Sequence, residues 1–175
     1  MKQKTLEVMI SEQEIQEKIK ELGKAITNDY SKDNEVVVIG VLKGACVFLS
    51  DLIRQMKIDN VYIDFMSVSS YGMSTESSGV VRILKDLDLE IEGKHVLIVE
   101  DIIDTGLTLQ YLTKNLQTRN IKSLKICTLL DKPSRRKCEL NIDYSGFIIP
   151  DKFIVGYGID YAEKYRNLPY IASVE

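Results

Sequence analysis

Apolar positions along this chain follow two different spacings, and the alternation between them outlines the fold. Over residues 11–30 they recur at steps of three and four (Ile15, Ile19, Leu22, Ile26), which predicts an amphipathic helix. Ser11 and Glu14 form the S-x-x-E pattern that caps a helix start. After a Ser-Lys-Asp-Asn turn, residues 36–41 are continuously apolar, as expected of a strand covered on both faces. Residues 44–56 return to helical spacing through Ala45, Phe48, Leu49, Leu52 and Met56, and 61–68 alternate as a second strand. Residues 69–79 are rich in Ser and Gly without any period, which predicts a mobile loop. A strand is expected over 80–84, a turn at Glu92-Gly93-Lys94, and a second buried strand over 96–99 that ends in Glu100-Asp101. A helix from 107 to 119, a strand over 124–130, short strands at 147–149 and 153–155, and a closing strand at 170–174 complete the pattern. Strands alternating with helices, with no repeat or linker between them, predict one α/β domain over 1–175 built on a mainly parallel sheet.

Composition narrows what such a domain does. The chain has 175 residues, 23 Lys and Arg against 26 Asp and Glu, for a net charge of −3. That balance argues against a broad basic face for nucleic acid, but not against a phosphate held locally by a few amides and cations. No apolar run approaches the ~20 residues that span a bilayer, and the mixed N-terminus MKQKTLEVMI is unlike a secretory leader. Cys46, Cys127 and Cys138 form no CxxC pair, which fits a reduced, cytoplasmic protein. The one histidine, His95, opens an apolar run. The three thiols and His95 are therefore expected to be structural, and a Cys–His mechanism is disfavoured.

In open parallel sheets ligands bind beyond the carboxyl ends of strands, so the residues following each apolar run are where chemistry is expected. The richest such segment is 96–108, VLIVEDIIDTGLT. Glu100 and Asp101 close the strand, and Asp104, Thr105, Gly106, Leu107 and Thr108 turn the chain into a helix whose first amides are free to bind an anion. Three acids beside an anion site have a use if they hold a divalent cation, bind sugar hydroxyls or move a proton. The same residues also fit an acidic strand end with an ordinary Asp/Thr helix cap, or a receiver-type acidic pocket.

VEDIIDTGLT resembles the phosphoribosyl pyrophosphate (PRPP) motif of type I phosphoribosyltransferases. Leu42-Lys43-Gly44, Ser70-Tyr71, Asp131-Lys132 and PDKFIVGYGIDYAEKYRNLPYI at 150–171 follow in the order found in the hypoxanthine-guanine branch of that family, in its compact bacterial form. The likeness covers roughly 6–174. It implies the type I fold, a twisted, mainly parallel sheet flanked by helices, with a small hood drawn mainly from 150–175 and a lid at about 69–79. It also implies Mg²⁺-dependent transfer of a phosphoribosyl group to a 6-oxopurine, in a homodimer or homotetramer.

By that resemblance, Glu100 and Asp101 face the ribose hydroxyls and the metal, with Asp160 as a further metal or purine contact. Asp104 is the general base or acid near purine N7, and 104–108 hold the 5-phosphate. Lys43, Gly44 and Arg166 contact pyrophosphate. Lys132 donates to purine O6, Phe153 stacks on the base, and the Ile154 backbone meets its edge. Ser70 and Tyr71 belong to the lid. Read alone, these positions have plainer accounts: a Gly turn, a surface Arg, a core Phe, an exposed loop, and a solvated basic run at 132–137. A xanthine-preferring relative and a non-catalytic RNA-binding regulator on the same fold are the two alternatives.

Overall fold

The computed structural model describes residues 5–30, 34–70 and 81–174. Strand β1 (Leu6–Ile10) leads into helix α1 (Glu12–Asp29), then β2 (Glu35–Leu42), α2 (Ala45–Ile53), β3 (Asn60–Ser70) and β4 (Val81–Lys85). They are followed by β5 (His95–Ile103), α3 (Leu107–Gln117), β6 (Ser123–Asp131), a 3₁₀ turn (Pro133–Arg135), β7 (Tyr144–Ile148), β8 (Ile154–Val155) and β9 (Ile171–Val174). Ser11 caps α1 as its spacing predicts: its hydroxyl accepts from the Glu14 amide at 3.3 Å, while the Glu14 carboxylate accepts from the Ser11 amide at 2.8 Å.

Six strands form one sheet in the order β4-β3-β2-β5-β6-β7, parallel except for β4. Successive residues of the central strands serve opposite faces. Val36 and Val38 of β2, Leu97 and Val99 of β5, and Cys127 and Leu129 of β6 join one core with Ile15, Ile19 and Phe48 from α1 and α2. Val37, Ile39, Val96, Ile98 and Ile126 join a second core with Leu109, Leu112 and Leu116 of α3. Both faces are dry, which explains the unbroken apolar runs. From β2 the chain moves outward to β3, whereas β5 lies on the other side of β2. The order therefore switches between β2 and β5, and their carboxyl ends open the crevice where such sheets bind ligands.

A second sheet, β1-β9-β8, is antiparallel and made only from the two ends of the chain. It is the hood the resemblance implies. Its strand β1 is not evident from the local pattern, because LEVMI is short, largely exposed and held by pairing with β9 far along the chain.

Other boundaries differ from the expected ones, β7 among them, which runs Tyr144–Ile148 rather than over 147–149. Strand β5 continues through Glu100 and Asp101 to Ile103, since pairing with β2 stops at Val99 while pairing with β6 runs on to Asp131. Helix α2 ends at Ile53, and Met56 and Ile58 reach the core from the turns beyond it. Phe153 precedes β8 rather than opening it. Most of the turn expected at 31–34 and most of the loop expected at 69–79 lie outside the described residues. Among the described residues no helix is long and apolar enough to cross a membrane.

Candidate active site

The phase of β5 separates the two adjacent acids. Asp101 follows Leu97 and Val99 toward the α1/α2 face and meets Gly44, where a Cβ would lie 1.8 Å from Asp101 Oδ2. Glu100 follows Val96 and Ile98 toward α3 and lines a cavity of about 170 Å³ with Asp104, Thr105, Gly106 and Thr108. Burial, with the Asp101 charge beside it, pushes the Glu100 carboxyl well above the usual range. Burial likewise raises Asp101, to about 6, although the Ile102 amide and the Arg166 guanidinium pull it back. Two buried carboxyls whose charged forms are disfavoured make a site suited to a cation or to hydroxyl donors.

The loop between β5 and α3 has its amides and carbonyls sorted by direction. Gly106 has a φ of 81°, a left-handed turn that a glycine adopts without steric cost, and α3 starts at the next residue. The carbonyls of Ile103, Asp104 and Thr105 all accept hydrogen bonds from one strap, residues 132–138. The Lys132 amide donates to Ile103 O at 3.0 Å, Arg136 Nε to Asp104 O at 3.3 Å, and the Lys137 amide to Thr105 O at 2.9 Å. Cys138 Sγ adds a weak bond to Thr105 O at 3.7 Å. With its carbonyls engaged there, the loop is left to present amides and the Thr105 and Thr108 hydroxyls to the cavity.

The same strap accounts for the basic run. Arg136 pairs with Asp131, and Arg135 Nε lies 2.8 Å from Asp104 Oδ1 while its Nη1 reaches Asp151 Oδ2 at 3.4 Å. The solvated basic loop considered from sequence is thus folded onto the β5–α3 loop, with both arginines ion-paired. An RNA-binding reading loses the cluster it needed.

On the other side of Asp101, the 156–166 turn presses on the loop after β2. A Cβ on Gly158 would sit 2.2 Å from Gly44 O, so the two backbones meet in contact. Arg166 Nη1 donates to Gly158 O at 2.8 Å, and its Nη2 pairs with Asp160 at 3.0 Å and with Glu163 at 3.3 Å. Lys43 Nζ pairs with the other oxygen of Glu163 at 3.0 Å. The Arg166 Nε is buried with no partner among the described residues. Asp160 is engaged on both oxygens, by Arg166 and by the Glu163 amide at 2.8 Å.

At the hood end, Lys132 is 7% exposed and donates from Nζ to Lys152 O at 2.6 Å, which fixes it beneath the 150–154 segment. Phe153 is 54% exposed and meets Tyr161 edge to face, so one face of its ring is not core. The Val174 amide bonds to Phe153 O, so Ile154 and Ser173 are the non-hydrogen-bonded pair of the β8–β9 ladder. The amide and carbonyl of Ile154 then point away from β9, toward the outer edge of that sheet, although its side chain is buried.

The structure thus gathers Glu100, Asp101, Asp104 to Thr108, Lys43, Gly44, Asp160 and Arg166 around the switch point, with Lys132, Phe153 and Ile154 at the hood. Tyr71 lies outside the described residues, and Ser70 is the last residue of β3. Arg135, Arg136, Asp151 and Glu163 were not foreseen. Their one sequence signal is position, in loops that follow strand ends. Among the described residues no three acids, histidines or cysteines converge to hold a metal by themselves.

A mainly parallel sheet with an acid-rich loop opening a helix at its switch point and a hood over it is the frame of a class of nucleotide-handling enzymes, and the comparisons say which. The model of the phosphoribosyl transferase domain matches residues 9–162, and the chain belongs to that family. It is 58% identical to a hypoxanthine-guanine phosphoribosyltransferase of Bacillus subtilis, over all of this chain and 96% of the relative. A crystal structure of a hypoxanthine phosphoribosyltransferase from Staphylococcus aureus superposes with a TM-score of 0.93 at 52% identity, covering 97% of this chain and 91% of that one. A hypoxanthine-guanine phosphoribosyltransferase from Bacillus anthracis, crystallised with HEPES in its active site, gives 0.92 at 58% identity over 97% and 98%.

Proposed function

We propose that this phosphoribosyltransferase salvages purines by moving the 5-phosphoribosyl group of PRPP to N9 of hypoxanthine or guanine, releasing pyrophosphate and forming IMP or GMP. The observation that carries the reading is the buried Lys132 set under an exposed aromatic face and a free strand edge, opposite a phosphate loop with paired acids. An ammonium there donates to a 6-oxo oxygen and disfavours adenine, whose 6-amino group also donates. Phe153 offers its ring to the base, and Ile154 its amide and carbonyl to the base edge.

The 104–108 loop holds the 5-phosphate, Glu100 and Asp101 accept from the ribose hydroxyls, and Lys43 and Arg166 take up charge that develops on the leaving pyrophosphate. Asp104, half-exposed and paired with Arg135, accepts or returns the N7 proton. Glu100 and Asp101, on opposite faces of β5, each offer a carboxylate to Mg²⁺, which takes one or two carboxylates and draws its other ligands from substrate oxygens and water. Burial raises both carboxyls, so a cation beside them would favour their charged forms. Bound there, the ion would neutralise the pyrophosphate and orient the ribose. Asp160, already held by Arg166 and the turn, is the weaker ligand of the three. The reading carries with it a cytoplasmic enzyme that assembles as a homodimer or homotetramer.

The test is nucleotide formation from PRPP and Mg²⁺ with hypoxanthine, guanine, xanthine or adenine supplied singly. Turnover with the first two and not with adenine is expected. Turnover only with xanthine would transfer the assignment to that base, and none with hypoxanthine or guanine would refute it.

A further inference from the structure

Glu163 occupies a place that the site as so far described does not use. Its carboxylate bridges the two cations assigned to pyrophosphate: Oε2 lies 3.0 Å from Lys43 Nζ and Oε1 lies 3.3 Å from Arg166 Nη2. These cations come from loops more than a hundred residues apart, and a single acid spans both. The backbone that delivers it is unusual. Ala162, Glu163 and Tyr165 have φ values of 51°, 66° and 74°, a left-handed region that residues with a Cβ enter at a cost. The turn is fixed by the Glu163 amide on Asp160 Oδ2 at 2.8 Å and by the mutual backbone bonds of Tyr161 and Lys164 at 3.0 Å. Strained backbone that persists calls for a functional account when the residue it presents has one.

We propose that Glu163 is a built-in stand-in for pyrophosphate, bridging Lys43 and Arg166 in the empty protein and displaced when pyrophosphate or the pyrophosphate end of PRPP arrives. The inference rests on the assignment of Lys43 and Arg166 to that subsite. Two like charges held near each other without an anion repel, and an internal carboxylate relieves that repulsion until the ligand does so better. Both partners of the Lys43 pair are well exposed, so the contact is weak and screened, as a displaceable latch must be. The latch competes with bound pyrophosphate and therefore favours product release over product retention.

Direct binding of inorganic pyrophosphate with Mg²⁺, measured by calorimetry on the full chain, tests the proposal. Glu163→Gln keeps the shape and removes the charge, and should tighten pyrophosphate about two- to fivefold, the scale of a lost exposed ion-pair competitor. Pyrophosphate inhibition of the forward reaction should strengthen by the same factor. Glu92→Gln removes one charge from the exposed turn at the opposite end of β5, and should leave the affinity unchanged. Lys43→Gln and Arg166→Gln should each weaken binding. If they weaken it while Glu163→Gln leaves it unchanged or weaker, the stand-in is refuted and the subsite stands. If neither cation variant alters binding, or the unaltered protein binds no pyrophosphate, the subsite assignment fails and the stand-in with it.

Discussion

Replacing Gly44 by alanine isolates the contact between the loop after β2 and the acid on β5. The backbone there is already helical, with φ −57° and ψ −40°, so alanine fits it without strain. Its effect on the unfolded chain alone would stabilise the protein by about 0.4–1 kcal/mol. The added methyl carbon, however, would lie 1.8 Å from Asp101 Oδ2 and 2.7 Å from its Cγ, both well inside contact distance. The carboxylate must swing away and give up the 2.7 Å bond its Oδ1 accepts from the Ile102 amide. If Asp101 accepts from a ribose hydroxyl, losing that charge-assisted bond costs about 1.5–3 kcal/mol. That corresponds to a roughly 10- to 150-fold fall in kcat/KM for PRPP. Initial rates with PRPP varied at saturating hypoxanthine, beside a thermal melt, separate the two effects. The expected result is a large loss in kcat/KM with a melting temperature that hardly moves. Asp101→Asn combined with Gly44→Ala should lose little more than either alone, because both act on one carboxylate. An unchanged kcat/KM for PRPP in folded Gly44→Ala would refute the assignment of Asp101 to the ribose.

The other predictions concern the same crevice. Because burial raises the Asp101 carboxyl to about 6, the folded empty protein binds more protons than the unfolded chain between about pH 4 and 6, and this group's penalty grows as pH rises through that window. Asp101→Asn should therefore stabilise the ligand-free protein by about 3 kcal/mol at pH 7.5 and hardly at all at pH 4, by urea denaturation; equal effects at both would contradict the linkage. Asp104→Asn should lower kcat about 10²- to 10⁴-fold with a smaller change in PRPP affinity, and the reverse pattern would exclude proton transfer by that group. Lys132→Ala should reduce discrimination of hypoxanthine from adenine about tenfold or more in competing rates, and unchanged selectivity would remove Lys132 from the base site. Arg136→Gln should raise the KM for PRPP and cost about 3 kcal/mol in denaturant melts, since it strips Asp131 of its partner. Arg136→Lys should recover part of both losses; unaltered PRPP kinetics in Arg136→Gln would show that the strap does not position the loop.

The sequence by itself determined the layered α/β plan and the address of the site. Apolar runs and helical spacings are local, and a sheet covered on both faces writes them plainly: β2, β5, β6, α1 and α3 were all legible. The segment 100–108 stood out for the same reason, because its acids, threonines and glycine lie within one short stretch. What the tertiary structure alone decided depends on residues distant in the chain. Strand β1 exists through β9, and Gly44 is required by Asp101 on another strand. One account of the basic run was solvated charge, yet its arginines are engaged by Asp104, Asp131 and Asp151, and its backbone by the carbonyls of the β5–α3 loop. Glu163 carried no pattern at all until Lys43 and Arg166 were seen on either side of it. Periodicity reports which face of an element is buried; which charge meets which is fixed by how the loops converge where the strand order reverses.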